Sequence, residues 1–168
     1  MKTHEIDATG EAVLDILKTD ARAVPADIAK QLGVSETSVK KYIAGFEKDR
    51  IILDYKTIIN WQQVHRNTVH ALIEVKVTPE RNVGFDAVAE TIYRFPEVSS
   101  LSLLSGGYDL LVEVEGESLE KIARFIAVKL ATIKGVQSTV SHFILKKYKE
   151  NGVIFEKQHD TKRLPITP

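Results

Sequence analysis

The sequence predicts an α+β chain in two parts: an N-terminal helix-turn-helix domain of winged-helix-like type, then a C-terminal ferredoxin-like βαββαβ sandwich. Three observations predict it. Apolar residues recur every three or four positions as far as Phe46, whereas from Ala71 they alternate with polar ones, a change from helical to strand periodicity. One helical stripe stops at Gly33 and the next begins at Ser35, which suits a plain helix hairpin or a helix-turn-helix. The second part also repeats itself weakly. IEVKV at 73–77 and VEVEG at 112–116 each precede a helical stretch, and FPEVSSLSL at 95–103 and IKGVQSTVS at 133–141 each follow one. A twofold βαβ repeat is what a split-βαβ sandwich requires.

The elements follow in order. Val13, Leu14, Ile16 and Leu17 lie on one helical stripe within residues 11–19. Pro25 stands where a first helical turn tolerates proline, and Ile28, Ala29 and Leu32 continue that helix inward. Gly33 suits the left-handed residue that ends a helix, and Ser35 is a good N-cap for the next. Val39, Ile43 and Phe46 form the buried stripe of this third helix. Residues 51–55 (IILDY) and 56–60 (KTIIN) read as short extended segments, a wing or a linker. Ala71–Val77 is a strand. Phe85, Val88, Ala89, Ile92 and Phe95 form a helical stripe over 85–95. Val98–Leu104 and Leu110–Val114 are strands joined by SGGYD, Leu119–Ile133 is one helix, and Val136–Leu145 is the fourth strand. Two helices on one face leave the other face of the sheet open, and apolar residues there point to packing against another subunit. The polar tail from Lys146 is read as an extension, with GVIF at 152–155 as one added edge strand. The expected domains are 1–60, 61–148 and 149–168.

The bulk numbers narrow the chemistry. A chain of 168 residues with 43% hydrophobic side chains can bury a sizeable core. With no cysteine there is no disulfide, thiolate zinc site or cysteine nucleophile. No apolar run approaches the roughly 18–20 residues that cross a bilayer, and the first residues lack a signal-peptide pattern, so a cytoplasmic location is expected. Net charge is 0, but the distribution is uneven. Six basic residues face four acidic ones over 36–66, and four face six over 1–35, so a local basic face is available while one copy has no strong electrostatic grip. The five histidines have no metal-ligand spacing. SGGYD lacks the GxGxxG spacing and following helix of a dinucleotide site, and no cofactor is expected.

LDILKTDAR at 14–22, IAKQLGVS at 28–35, GYDLL at 107–111 and KGVQST at 134–139, in this order and spacing, resemble the Lrp/AsnC family of feast/famine transcription regulators over roughly residues 10–148. The resemblance implies a DNA-binding regulator that pairs through its α/β domain, assembles further in many members up to an octamer, and senses an amino acid or related molecule between subunits. Two departures stand out: Tyr42 replaces a common arginine of the recognition helix, and Arg50 and Asp54 replace common glycines after it. Sirohaem decarboxylase subunits resemble the same two-domain layout, which gives an enzyme subunit as one alternative. A ligand-sensing module without DNA binding is the other.

In a helix-turn-helix the early residues of the second helix meet base edges. With Val39, Ile43 and Phe46 facing inward, Ser35, Glu36, Thr37, Ser38, Lys40 and Lys41 remain for the groove. Thr37, Ser38 and Lys41 are expected at bases, Lys40 and Lys48 at phosphates, which position without specifying. For the effector, the candidates are Ser105, Gly106, Gly107, Tyr108 and Asp109, whose turn amides suit a carboxylate, with Thr139 and Ser141 as hydroxyl partners. Asp109 has a structural reading too, bonding the turn's own amides.

Overall fold

The computed structural model describes residues 5–64, 68–79 and 84–155, in two compact units that divide at Thr57/Ile58. The first unit is three helices: α1 (Ala8–Thr19), α2 (Pro25–Leu32) and α3 (Glu36–Lys48). Each boundary has a local cause. Asp7 Oδ1 accepts the Gly10 amide at 2.7 Å and caps α1. Pro25 opens α2, and Gly33 closes it at φ 68°, where a side chain would be strained. Ser35 Oγ then accepts the Ser38 amide at 3.1 Å and starts α3. Val13, Leu17, Ile28, Ala29, Val39 and Phe46 form the core, with Leu14, Ile16, Leu32 and Ile43 half-buried around it.

After α3 the expected extended pair at 51–60 does not form a wing. No β-ladder lies in that stretch. Arg50 adopts φ 58°, and the amides of Ile51 and Ile52 both donate to the Phe46 carbonyl, at 2.8 and 3.0 Å. The helix end therefore folds back on itself and uses the donors that a strand would need.

The second unit opens with a 3-10 turn at Trp61–Val64 and runs β1 (Val69–Val77), α4 (Asp86–Tyr93), β2 (Val98–Leu103), β3 (Leu110–Gly116), α5 (Leu119–Phe125) and β4 (Val136–Phe143). The sheet order is β2-β3-β1-β4, every neighbouring pair antiparallel. This is the expected split-βαβ arrangement. Ala71, Ile73, Val75 and Val77 of β1 face the helices and join Leu110, Val112, Val114, Val88, Ile92, Ile122, Phe125 and Leu130 in one core. The helix expected at Leu119–Ile133 is not uniform: Ile126–Leu130 is a π turn, closed by the Ala131 amide on the Ile126 carbonyl at 2.8 Å. The wider turn has a packing reason. In an α-helix residues five apart point about 140° apart, whereas this turn brings Phe125 and Leu130 into the same core.

GVIF does not extend the sheet. Val153–Ile154 (β6) pairs with Lys149–Glu150 (β5) in a separate hairpin. Asn151 (φ 45°) and Gly152 (φ 87°) make its two-residue turn, the Asn-Gly signature of a tight hairpin.

Residues directly opposite each other across antiparallel strands share a face, so the register defines the uncovered side. Ser100, Glu113, Leu72 and His142 form one row across it; Ser102, Leu111, Glu74 and Val140 form the next. His70 opposite Glu115 and Lys76 opposite Ser138 flank these rows. None of the described helices covers this face.

Candidate nucleic-acid interface and ligand-side turn

The recognition helix α3 is 13 residues long, about 20 Å at 1.5 Å per residue. Val39 and Phe46 anchor it to the core. Thr37, Lys41, Ala44 and Lys48, spaced four, three and four apart, form an exposed stripe on its outer side. Lys41 makes no ion pair among the described residues, whereas Lys40 pairs with Glu36 one turn earlier at 2.6 Å. Ser35 and Ser38 are joined by the capping bond, and Ser38 is half-buried. The six early candidates thus divide. Thr37 and Lys41 are presented outward with no side-chain bond among the described residues, while Ser35, Ser38, Glu36 and Lys40 carry local bonds.

Tyr42 does not occupy the outer stripe. Its hydroxyl donates to Asp7 Oδ2 at 2.5 Å, and its ring stacks on Phe46 with centroids 6.0 Å apart. One carboxylate therefore caps α1 with one oxygen and holds α3 with the other. The Tyr42 hydrogen bond and then the Gly10 amide hold the Asp7 carboxyl below its ordinary range, and the same bond raises the Tyr42 phenol. Gly10 makes the close approach possible: a Cβ there would lie 2.8 Å from Ile6 Cγ2 and 3.1 Å from the Phe46 ring. Beside this junction is a cavity of about 430 Å³ lined by Asp7, Ser38, Lys41, Tyr42 and Gly45 among others. Tyr42 thus serves as a strut within the helical unit. The sequence held a signal for it in Asp7 one residue before α1, but no local pattern joins positions 35 apart.

At the SGGYD turn the Asp109 carboxylate does not bond the turn's own amides. It accepts the Val77 amide at 2.8 Å and Lys76 Nζ at 3.2 Å, both on the neighbouring β1. The Val77 amide, then Lys76 against the opposing effect of burial, lowers its pKa. The Asp109 amide also donates to the Val75 carbonyl at 3.1 Å, and the Leu104 amide to the Asp109 carbonyl at 2.8 Å. Asp109 thus fastens the turn to the sheet. Ser105, Gly106 and Gly107 remain exposed, and Tyr108 is half-buried. Thr139 pairs with Val75 and Ser141 with Ile73, so both hydroxyls are on the helix-facing side of edge strand β4. β1 separates them from β3, a gap of two strand spacings or about 10 Å. Within one copy the structure does not bring these two residues against the turn.

At the opposite end of the sheet lies a larger cavity, about 630 Å³, with Val114, Ile122, Phe125 and Val128 as apolar wall. Lys129 lies over Phe95 and Phe125, 5.5 and 5.8 Å from the ring centroids, and bonds Glu97 Oε1 at 2.5 Å. Burial pushes the Glu97 carboxyl up and Lys129 more than offsets this, for a net lowering. Among the described residues no cluster of His, Asp and Glu suits a metal ion, and no helix is long and apolar enough to cross a membrane.

A three-helix unit with an exposed recognition helix, followed by a four-stranded α/β unit, defines a helix-turn-helix regulator with a ligand-binding domain. The comparisons agree: residues 6–52 match the model of winged helix-turn-helix DNA-binding domains, and residues 70–154 that of the Lrp/AsnC ligand binding domain. The chain is 48% identical over 157 residues to the uncharacterized HTH-type transcriptional regulator YugG of Bacillus subtilis (strain 168), covering 93% of this chain and 95% of that one. It is 33% identical over 144 residues to the HTH-type transcriptional regulator LrpA of Pyrococcus horikoshii, covering 86% and 99%. The fold matches the crystal structure of the transcriptional regulator NMB0573 in complex with L-Met, from Neisseria meningitidis, at a TM-score of 0.70 and 22% identity, over 87% and 94% of the two chains. The protein belongs to the Lrp/AsnC family of transcriptional regulators, and the enzyme-subunit alternative is not favoured.

Proposed function

We propose that this chain binds operator DNA through α3, pairs with a second copy through the open sheet face, and is modulated by an amino acid bound at a subunit interface. The observation that carries the reading is the exposed stripe Thr37–Lys41–Lys48 on a helix whose opposite side is locked into its own core. Thr37, Ser38 and Lys41 read base edges. Lys40 and Lys48 orient the helix on the backbone, since phosphate contacts fix register without reading sequence, while Ser35 and Glu36 lie beside the groove at the start of the helix. A pair of copies sets two such helices about one DNA turn apart. With zero net charge per chain, two copies also supply the phosphate contacts that one lacks.

The effector site is the exposed arc Ser105–Gly107 with Tyr108, fastened by Asp109. Thr139 and Ser141 complete it from a different copy, because β1 separates them from the turn in their own chain. A related fold solved with L-Met supports an amino-acid ligand for that protein, and we extend the class to this one. Its location is the cytoplasm, where its DNA is, and it acts without catalysis. The domains are taken as 1–60, 61–148 and 149–168.

Lys41→Glu tests the DNA reading. Specific operator retention in an electrophoretic shift assay, with the sequence upstream of the chain's own gene as probe, is expected to fall by about a hundredfold, from one lost contact and one added repulsion. The circular dichroism spectrum and oligomeric state stay unchanged. Undiminished binding would remove Lys41 from the groove.

A further inference from the structure

The open face holds an ordered set of acid–imidazole pairs that the DNA and effector readings do not use. His142 Nε2 lies 3.1 Å from Glu74 Oε1, and His70 Nδ1 lies 3.5 Å from Glu115 Oε1. Both pairs bridge neighbouring strands of the sheet, one from β4 to β1 and one from β1 to β3. Glu74 sits between Leu111 and Val140 in its row, so apolar side chains flank the carboxylate on both sides. Among the described residues of the sheet, the other charged groups on this face are Lys76, tied to Asp109 at 3.2 Å, and Glu113 of β3, and β2 contributes Ser100 and Ser102 in the paired rows.

From this we infer that pairing of two copies through the open sheet face is proton-coupled, with His70 and His142 as the groups that take up the protons. The inference rests on the reading that this face meets a second copy. A twofold contact suits it, because the face carries acidic Glu74, Glu113 and Glu115 with basic Lys76, His70 and His142, and so complements itself.

The sign follows from desolvation. Where the imidazoles are neutral, pairing takes Glu74 and Glu115 out of water as carboxylates with neutral partners, which is costly. Where they are protonated, each couple enters the interface with no net charge and a charge-assisted hydrogen bond. An ordinary histidine titrates near pH 6.5, and a carboxylate in hydrogen-bonding reach favours the protonated imidazole against the opposing cost of burial. Association therefore takes up protons, and pairing tightens as pH falls through the histidine range.

Sedimentation velocity on the full chain at fixed ionic strength tests this, at pH 8 and pH 6. The dimer dissociation constant is expected to be about tenfold lower at pH 6, the effect of an average uptake of roughly half a proton per dimer formed across those two pH units. Combined His70→Gln and His142→Gln are expected to flatten the dependence. Combined Glu74→Gln and Glu115→Gln flatten it from the other side, by tightening pairing at pH 8, and so serve if the histidine variant folds poorly. A dimer of unchanged affinity at both pH values overturns the proton coupling and leaves the pairing intact. So does a pH dependence that survives both double variants. A chain that dimerises equally well with Val140→Arg on this face overturns the pairing surface and the coupling with it.

Discussion

At the residue scale, single side chains fix geometry that the surrounding pattern leaves open. Arg50 adopts φ 58°, where a residue other than glycine is strained. Arg50→Gly is therefore expected to raise stability by about 0.5–1 kcal/mol, measured by urea unfolding, because relief of the strain outweighs the added freedom of the unfolded chain. Asp109 has a pH signature. Its pKa is lowered in the folded chain, first by the Val77 amide, so its contribution is full above the ordinary carboxylate range and fades as pH falls through the folded value. The Asp109→Asn variant is expected to melt below wild type at pH 7. The gap narrows steadily below about pH 4, as read by thermal unfolding across that range. A constant gap would mean that the carboxylate's charge contributes nothing.

At the element scale, the helix ends do most to aim α3. Ser35 caps its first turn, two residues before the outward stripe begins at Thr37. Ser35→Ala is expected to cost about 1 kcal/mol, with amide exchange accelerated in the first turn of α3 more than at its core-facing Val39. The π turn in the second helical segment shows how packing overrides local preference. A uniform α-helix satisfies every backbone bond, yet the chain takes the wider turn to bury Leu130 beside Phe125. The five-residue spacing of these side chains was visible in the sequence. Its consequence was not, because a helical stripe tolerates one off-phase apolar residue.

At the scale of the whole molecule, two cores mean two sources of stability. Among the described residues the helical unit buries six apolar side chains in its core, and units of this size are marginal. Ile28, 1% exposed, lies at its centre. Ile28→Ala is expected to cost about 2–5 kcal/mol, and the loss falls on one unit. Hydrogen exchange protection should disappear over residues 8–48 and persist in the sheet, so DNA retention is lost while pairing survives. Global loss of protection would show that the two units unfold as one.

Much of this was legible in advance. Gly33, Ser35 and Pro25 announce helix boundaries through backbone chemistry that acts over three or four residues, and the alternation of β1 announces its buried side. The four motifs of the resemblance added the family. Elsewhere local patterns fell short: residues 51–60 looked extended but met no partner strand, and GVIF paired within its own hairpin instead of along the sheet. Asp7 with Tyr42, Asp109 with Val77, and His142 with Glu74 are separated by 35, 32 and 68 residues, and no periodicity reaches that far. The order of elements and their inward faces was determined by the sequence alone, because hydrophobic spacing and capping are local. The pairing of side chains from distant strands and helices was decided only by the tertiary structure, because hydrogen-bond partners are chosen by register and packing after the chain has closed.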